Sequence, residues 1–314
     1  MKILFLGAGG VGGYFGGRLI EAGGDVTFQV RPARAQQLAA HGLVIRSPLG
    51  DATVPAPTIE RAAGSGPFDL VIVSCKAYDL APAIEAIAPH VQAGAVVLPL
   101  LNGMRHNDEL RLRFGPEHLI GGICQIETML SPTGEIVHKS QFARIVFGPF
   151  EEYPVDARVQ RVISDFATLC EGASFSSKLL DPVDQALWDK WVMIGTLGGI
   201  TCLMRGAAGD VMATKEGREL IEELLQEAIS VATEAGYPPS ADYLANARKL
   251  LMAPGSTFMA SMLRDIEKGG AIEADHIIGD MYRRAHESGH DANVLRMVYC
   301  HLQTYEARRA RGGL

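Results

Sequence analysis

A glycine-rich turn near the N-terminus has the spacing of a phosphate-binding loop. Its six residues are Gly7, Ala8, Gly9, Gly10, Val11 and Gly12. They match G-x-G-x-x-G between a predicted strand at residues 2–7 and a predicted helix at 10–23. In such a turn the first glycine permits a tight bend, the second lets a pyrophosphate approach the backbone, and the third lets helix and strand pack closely. The turn predicts dinucleotide binding, with a purely structural glycine turn as the alternative.

A basic residue stands at the end of the second predicted strand, where a site for NAD usually has an acid. The strand is predicted at residues 25–30, and Arg31 follows it, with Arg34 one helical step later. An acid at this place bonds the 2′-hydroxyl of the adenosine ribose, whereas the planar fork of an arginine suits a 2′-phosphate. Arg31 therefore points to NADP(H), and an arginine that is merely solvated is the alternative.

Two further polar residues follow predicted strands. Lys76 comes after the strand at residues 69–74, and Asn102 precedes Gly103 after the strand at 95–100. Open α/β sheets bind their ligands at the carboxyl ends of the strands, so both residues are candidates for a site. For Asn102 the alternative is a simple Asn-Gly turn.

Lys190 lies on the apolar stripe of a helix predicted over residues 182–204. Its neighbours one and two turns away are Ala186, Leu187, Met193, Ile194 and Leu197. An ammonium group on such a face loses solvation, so the side chain either reaches water, forms an ion pair, or is tuned by burial to act as an acid or base. Lys190 is therefore the candidate for acid–base catalysis, with a solvated or ion-paired lysine as the alternative.

One pattern resembles a zinc site and is interpreted as coincidental. His286 and His290 satisfy H-E-x-x-H, which requires both imidazoles to lie one turn apart on an intact helix. Gly289 followed by Asp291 is typical of a helix end, and no third ligand is evident. We therefore predict no metal site.

The composition and charge favour a small-molecule ligand. Of the 314 residues, 47% are hydrophobic and 21% charged, which is usual for globular proteins, and the length suggests about two domains. The 29 basic and 36 acidic residues give a net charge of −7 without a long basic run, which argues against nucleic acid or an anionic membrane as the main partner. The longest apolar stretch, at residues 191–204, is shorter than the about 20 residues of a membrane-spanning helix.

The cysteines and the N-terminal residues predict a cytoplasmic location. The cysteines are Cys75, Cys124, Cys170, Cys202 and Cys300. They are odd in number and form no C-x-x-C pair, so they suit neither a disulfide framework nor a zinc site. Residues 1–10 are a short apolar run that ends in glycines, as in a first strand rather than a signal peptide.

Strands and helices alternate in the first half of the chain and predict a doubly wound α/β domain. The predicted strands are residues 2–7, 25–30, 69–74 and 95–100, and the predicted helices are residues 10–23, 33–41 and 79–88. Three further β-like stretches are expected to extend this sheet with antiparallel strands. They are residues 119–130, 135–139 and 143–148, with a turn at 131–134.

The second half is predicted to be helical. The periodic stretches are residues 182–204, 215–235, 240–252, 257–268, 272–288 and 291–309. Asp181 and Pro182 are expected to cap the first of these helices, with the proline at its first position. The predicted division is therefore a dinucleotide-binding domain at residues 1–178 and an all-α domain at 179–314. Amphipathic helices of the second domain could also bury their apolar faces against a second copy, in a homodimer.

The whole chain resembles the ketopantoate reductase (2-dehydropantoate 2-reductase) family. The motifs that carry the resemblance are the glycine turn, Arg31, K-A-Y-D at residues 76–79, Asn102-Gly103, W-D-K at 188–190, S-M-L-x-D-I at 261–266 and E-A-D-H-I-I-G at 273–279. The resemblance implies an N-terminal Rossmann-type domain and a C-terminal helical domain like that of 6-phosphogluconate dehydrogenase. It also implies that NADPH and a 2-oxo acid meet in a cleft between the two.

The same resemblance implies roles for single residues. Lys190 would be the general acid, protonating the oxyanion that develops as hydride passes from the nicotinamide to the ketone carbon. The implied cofactor-binding residues are the glycine turn, Arg31, Lys76 and Asn102. The implied substrate-binding residues are Asn102, Lys190, Ser261 and Glu273.

Two positions depart from the family pattern. Reductases of ketopantoate usually have Asn four and eight residues after the lysine, where this chain has Ile194 and Gly198. The loss of two amide groups changes which polar groups of a substrate can be bonded. The leading hypothesis is reduction of 2-dehydropantoate to pantoate, a step of pantothenate biosynthesis. The alternatives are another 2-oxo acid, less hydroxylated or more apolar, and an NADP(H)-binding regulator without turnover.

Overall fold

The computed structural model describes residues 1–60 and 66–313, which form two compact units. The first unit consists of Met1–Leu101 and His106–Val183. The second consists of Asn102–Arg105 and the chain from Asp184 onward. The segment Asn102–Arg105, called the Asn102 segment below, therefore packs with helical residues although it follows a strand of the first unit. The sequence-based division after residue 178 stays a prediction of the domain limits.

The strands all belong to the first unit. In chain order they are β1 Lys2–Leu6, β2 Asp25–Gln29, β3 Leu43–Arg46, β4 Ala52–Val54, β5 Thr58–Ile59, β6 Leu70–Val73, β7 Val96–Pro99, β8 Gly121–Leu130, β9 Ile136–Gly148 and β10 Ser176–Leu179. The α-helices of this unit are α1 Gly10–Glu21, α2 Pro32–His41, α3 Leu80–Gln92, α4 Arg105–Phe114 and α5 Ala157–Glu171. The first residue of α4, Arg105, is also the last residue of the Asn102 segment.

The first sheet is parallel and has the order β5-β2-β1-β6-β7. Every residue of β6 and β7 is buried, as expected for strands covered on both faces. The chain runs from β1 outward through β2 on one side and then returns to β6 on the other. The switch point of this Rossmann-type sheet thus lies between β1 and β6, where such folds bind ligands at the carboxyl ends of the strands. The predicted alternation of strands and helices is confirmed.

The β-like stretches after β7 form a second sheet, so the expectation that they extend the first sheet was wrong. Its order is β10-β9-β3-β4, and β8 pairs with β9 in antiparallel fashion. The predicted stretches 135–139 and 143–148 are one strand, β9, whose length lets it pair with β8, β3 and β10. The predicted turn at 131–134 is confirmed, since Gly134 has φ +83° and its N–H donates to Ser131 O at 2.9 Å. Strands β3 and β4, which were not predicted, complete this sheet, with β3 paired to β9.

The second unit is helical apart from its loops. Its helices are α6 Asp184–Met204, α7 Ala208–Met212, α8 Gly217–Glu234, α9 Ala241–Leu251, α10 Ser261–Glu267, α11 Asp280–Glu287 and α12 Asn293–Ala310. Helix α6 is the centre of this unit and packs against α8, α10 and α12. The stretch 272–288, predicted as one helix, is a π-helical turn at Asp275–Gly279 that leads into α11. Within residues 1–60 and 66–313, every helix falls short of the length or the hydropathy that a bilayer crossing requires.

The expected cap of α6 was wrong. The helix begins at Asp184, and Pro182 lies before it, after a cis peptide bond with Asp181. The backbone on both sides of the proline remains tied to the end of β9, because Leu180 N–H donates to Phe147 O at 2.9 Å and Val183 N–H to Pro149 O at 3.0 Å. The chain therefore turns into α6 only after these bonds.

Candidate functional site

The glycine-rich turn lies at the switch point of the parallel sheet, between β1 and α1. Gly7 has φ +95°, a left-handed conformation that favours glycine, and its N–H donates to Gln29 O at 2.9 Å. A Cβ on Gly12 would collide with Ser74 Oγ and lie 2.6 Å from Gly7 O. Helix α1 therefore approaches β1 and β6 too closely for a side chain at this position. A Cβ on Gly9, by contrast, would meet no atom of residues 1–60 and 66–313 within 4 Å.

The turn has the shape and polarity to hold a pyrophosphate. Gly9 is the N-cap of α1 and has no side chain to cover the first N–H groups of the helix, which begins at Gly10. These groups form the positive end of the helix dipole, and the open space at Gly9 lets an anion approach them. The residues present therefore fit a dinucleotide, with the small Ala8 and the half-buried Val11 completing the turn.

Arg31 and the K-A-Y-D motif meet at the carboxyl edge of the same sheet. The Arg31 side chain is 83% exposed, and its Nη2 lies 3.4 Å from Asp79 Oδ1. Lys76 is half-buried and precedes the 3-10 turn Ala77–Asp79, which follows β6. The structure thus brings Arg31 close to the motif that begins with Lys76. It also places a carboxylate beside the guanidinium that the sequence assigns to a 2′-phosphate.

Arg34 braces the glycine-rich turn. Its Nε donates to Ala8 O at 3.2 Å, and its Nη1 donates to Gly134 O at 2.8 Å and to Gln37 Oε1 at 2.5 Å. Burial lowers the pKa of the Arg34 guanidinium below its usual value. Arg34 therefore links three parts of the first unit: the turn after β1, helix α2 and the turn between β8 and β9. These bonds fix the position of its guanidinium through Nε and Nη1.

Lys190 is half-buried on α6, and aromatic residues fix the helix around it. The Trp191 Nε1–H group donates to Ile277 O at 3.1 Å, and Tyr243 OH donates to Asp189 O at 2.6 Å. Burial raises the pKa of the Asp189 carboxyl, although a hydrogen bond from Gln185 acts in the opposite direction. The backbone that carries Lys190 is thus held from two sides, by the turn at Asp275–Gly279 and by α9.

The Asn102 segment packs against the π-helical turn that follows Glu273. Gly103 has φ +88°, and a Cβ there would lie 3.1 Å from both Cδ2 and the carbonyl O of His276. Asn102 is half-buried, and Glu273 is buried at 8% exposure. The structure therefore brings the segment that contains Asn102 beside the turn that begins two residues after Glu273, within the unit that also contains Lys190.

Ser261 is exposed at the first position of α10, and its neighbour packs on the Lys190 helix. A Cβ on Gly198 would lie 3.4 Å from Met262 Cε and 3.9 Å from Ala260 Cβ. Gly198 and the half-buried Ile194 continue the stripe of α6 that begins at Lys190. The two positions that depart from the family pattern thus carry no polar group, and Gly198 packs near Met262 at the start of α10.

The H-E-x-x-H pattern does not lie on a continuous helix. Helix α11 ends at Glu287, and Gly289 has φ +76°. His290 Nε2 lies 3.1 Å from Glu234 Oε1, whereas the His286 ring lies beside Tyr282. The predicted helix end is confirmed, so the two imidazoles are not presented one turn apart.

Two charged residues near the candidate site were not among the predicted site residues. Arg105, in the Asn102 segment, donates from Nη1 to Asp275 Oδ2 at 2.8 Å. For Asp275 the sequence did offer an indication, because this residue lies inside the motif at residues 273–279. Arg105 carried no such signal, because its contact spans 170 residues of sequence.

Comparisons with known proteins match both units. A family model described as "Ketopantoate reductase PanE/ApbA" matches residues 3–152, and one described as "Ketopantoate reductase PanE/ApbA C terminal" matches residues 182–306. An "Uncharacterized oxidoreductase YkpB" of Bacillus subtilis is 37% identical over 98% of this chain and 100% of its own length. A "2-dehydropantoate 2-reductase" of Nostoc is 26% identical over 100% of this chain and 98% of its own.

A solved structure with a different activity in its description has the same fold. D-mandelate dehydrogenase, in a ternary structure with NADH and anilino(oxo)acetate, superposes with a TM-score of 0.86. It is 20% identical in sequence, and the match covers 99% of this chain and 100% of that one. At this identity the likeness concerns the fold alone.

Proposed function

Since the chain belongs to the ketopantoate reductase family, we propose that it reduces a 2-oxo acid to the 2-hydroxy acid with NADPH as the preferred reductant. The family supports oxidoreductase chemistry on a 2-oxo acid. The observation that carries the proposal is that the substrate-binding residues implied by the family resemblance share one compact unit. These residues are Asn102, Lys190, Ser261 and Glu273.

The first unit would hold the cofactor through backbone and arginine donors. The N–H groups at the start of α1 would bind the pyrophosphate, because Gly9 leaves them open to an anion. Arg31, which follows β2, and Lys76, which follows β6, would bind the 2′-phosphate from the ends of the two strands that flank β1. When bound, a reduced nicotinamide dinucleotide supplies the hydride that the carbonyl carbon accepts.

Lys190 would supply the proton and stabilise the charge. Its ammonium group donates a proton to the carbonyl oxygen as negative charge develops there. The buried Glu273 would orient the ammonium and accept a hydrogen bond from the product hydroxyl, while Asn102 and Ser261 would bond the polar groups of the acid. Alignment of the substrate by these groups removes much of the entropic barrier to the reaction.

Two substrate candidates follow from different observations. The family resemblance favours 2-dehydropantoate, which would place the reaction in pantothenate biosynthesis. The apolar residues Ile194 and Gly198, which stand where the family has amides, favour a 2-oxo acid with a larger apolar substituent. The solved D-mandelate dehydrogenase, named for an aromatic 2-hydroxy acid, shows that this fold occurs with such a substrate. A cytoplasmic location would suit the five cysteines, which form no disulfide with one another. This location and a homodimer through the helical unit stay predictions.

A panel of 2-oxo acids tests the proposed function. We expect NADPH absorbance to fall in the presence of at least one of 2-dehydropantoate, 2-oxo-3-methylbutanoate and phenylglyoxylate. The order of kcat/KM values across the panel then identifies the substrate class. Dinucleotide binding without turnover of any member would instead favour the regulator.

A single substitution on α6 tests the origin of substrate preference. Gly198→Asn restores one amide in a position with ordinary contact distances to its neighbours. We expect the ratio of kcat/KM for 2-dehydropantoate to that for phenylglyoxylate to rise about three- to tenfold, the equivalent of one net hydrogen bond. Gly198→Leu is the matched control because leucine has nearly the shape of asparagine without the amide. An equal rise in both variants would contradict the role of the amide.

A further inference from the structure

One carboxylate in the second unit collects hydrogen bonds from three other segments. Asp275 Oδ2 accepts from Arg105 Nη1 at 2.8 Å. Its Oδ1 accepts from Arg283 Nη1 at 2.8 Å and from Tyr299 OH at 2.5 Å. Arg283 Nη2 also donates to the backbone O of Asp275 at 3.1 Å. Asp275 thus ties the Asn102 segment to α11 and α12 through separate oxygens.

The backbone around this carboxylate is close-packed. A Cβ on Gly279 would lie 2.7 Å from the Tyr299 ring and 2.9 Å from Asp275 Oδ1, so the π-helical turn has no room to shift toward α12. The turn is also tied to α6, because Trp191 Nε1–H donates to Ile277 O at 3.1 Å. A π-helical turn of this kind is frequent at functional sites. Asp275 therefore lies where three segments meet. They are the Asn102 segment, the turn that follows Glu273, and helix α6, which carries Lys190.

The charges around Asp275 keep it ionised. Burial raises the pKa of the Asp275 carboxyl. The hydrogen bonds from Arg283 and Tyr299 and the charges of Arg283 and Arg105 lower it by more, so the pKa lies below its usual value. A depressed pKa means that the carboxylate contributes stability above its unfolded-state pKa and loses it as the pH falls through the folded-state value. At neutral pH it therefore acts as a fixed charge and not as a proton donor.

The exposure of Asp275 and Arg105 argues against a purely structural role for their ion pair. The Asp275 side chain is 59% exposed and that of Arg105 is 42% exposed. Exposed ion pairs contribute at most about 1 kcal/mol to stability, so the fold does not depend on this contact. What the contact does fix is the path of the Asn102 segment beside the turn that follows Glu273.

We propose that Asp275 is a positioning residue, which holds Asn102 and Glu273 in register for the substrate by tying Arg105 to the π-helical turn. This inference rests on the proposed function. Asp275 itself has its oxygens occupied by protein donors. Its effect on the reaction is therefore transmitted through the positions of Asn102 and Glu273.

The kinetic test is a double-variant cycle. Asp275→Asn and Arg105→Ala are each expected to lower kcat/KM for the preferred 2-oxo acid about tenfold, since small displacements of binding groups have effects of this order. The dinucleotide Kd is expected to stay unchanged. The double variant should be no worse than the more impaired single variant, because both remove the same contact. Arg105→Lys, which keeps the charge, should recover part of the loss.

A second ion pair in the same unit is the matched control. Arg248 and Glu222 form a bidentate pair between α9 and α8, with Nε–Oε2 at 2.9 Å. Glu222→Gln is expected to lower Tm without changing kcat or KM. If it lowers kcat/KM as much as Asp275→Asn, loss of stability explains both results and the positioning role is wrong.

Hydrogen exchange tests the tie without any reaction. In Asp275→Asn we expect faster amide exchange in peptides covering residues 102–105 and 273–279, with unchanged exchange in α8 and α9. Unchanged exchange at 102–105, unchanged kinetics, or additive effects in the double variant would overturn the inference. If the wild-type protein reduces no 2-oxo acid, the proposed function fails, and the exchange result alone decides whether Asp275 holds the segment.

Discussion

Replacing Lys190 by alanine is expected to lower kcat for 2-oxo acid reduction by about 100-fold or more. In the proposed mechanism the ammonium group would both donate the proton and stabilise the oxyanion. Hydrogen bonds of Trp191 and Tyr243 hold the α6 backbone on either side of it. In Lys190→Ala a water molecule could donate the proton, but it would carry no positive charge to stabilise the oxyanion. The measurement is steady-state NADPH oxidation at saturating 2-oxo acid, with the dinucleotide Kd determined separately by fluorescence.

Two further variants separate the proton from the charge. Lys190→Arg keeps a cation whose proton is held too tightly for transfer, so it should recover substrate binding but little of kcat. Lys215→Ala removes a lysine that is 93% exposed in the same unit and should leave kcat unchanged. A wild-type kcat in Lys190→Ala would remove this lysine from the mechanism.

Arg31→Ala is expected to weaken NADPH binding by roughly 10- to 100-fold while leaving NADH binding nearly unchanged. Hydrogen bonds between charged partners contribute about 1.5–3 kcal/mol, and only NADPH carries the 2′-phosphate that would accept them. The exposed guanidinium stands at the end of β2 and is free of burial penalties. Titration of each dinucleotide by fluorescence gives the two Kd values directly.

The neighbouring carboxylate gives this prediction a second arm. Asp79 lies 3.4 Å from Arg31 and would repel a 2′-phosphate bound there. Asp79→Asn is therefore expected to strengthen NADPH binding relative to NADH by up to about fivefold, the scale of one exposed charge interaction. Arg46→Ala, at another exposed arginine with acidic partners, should leave both Kd values unchanged. Equal NADPH and NADH affinities in the wild type, unaltered by Arg31→Ala, would contradict the phosphate role.

The parallel sheet and the glycine turn are predictable because their signals are local. Strands β6 and β7 bury every residue and therefore appear as unbroken apolar runs. The turn after β1 requires glycine at Gly7 for its φ and at Gly12 for close packing, so its spacing is visible in the sequence. The central helix α6 is similarly long and apolar enough to be recognised.

The second sheet was not predictable to the same extent, because its pairings are not local. β9 pairs with β3 and with β10, and although residues 173–180 have a β-like pattern, the sequence does not show which strand they or β3 would pair with. Helix α5 was not predicted either, although Asp156 is its N-cap, whose Oδ1 accepts from Val159 N–H at 2.8 Å. That cap was visible in the sequence, whereas the partners of β9 were not.

The site shows the same division between local and distant information. Motifs identify Lys190 and Glu273 as candidates, but they do not show that Gly103 packs on His276 or that Arg105 reaches Asp275. Such contacts depend on how distant segments pack, and a single sequence carries no direct record of them. Arg34 illustrates the reverse case. An arginine at this position of the sequence suggests a phosphate ligand, whereas its hydrogen bonds to Ala8 O and Gly134 O connect two turns of the first unit.

The helical unit is not a detachable module, because four of its residues are encoded inside the other unit. Asn102–Arg105 lies between Leu101 and His106, both of which belong to the first unit. A chimera that joins the chain from Asp184 onward to a foreign dinucleotide-binding half would inherit whatever that half has after its last parallel strand. Exchanging halves between relatives would therefore keep the helices. It would replace Asn102 and Arg105, which pack with those helices but lie in the other half of the chain.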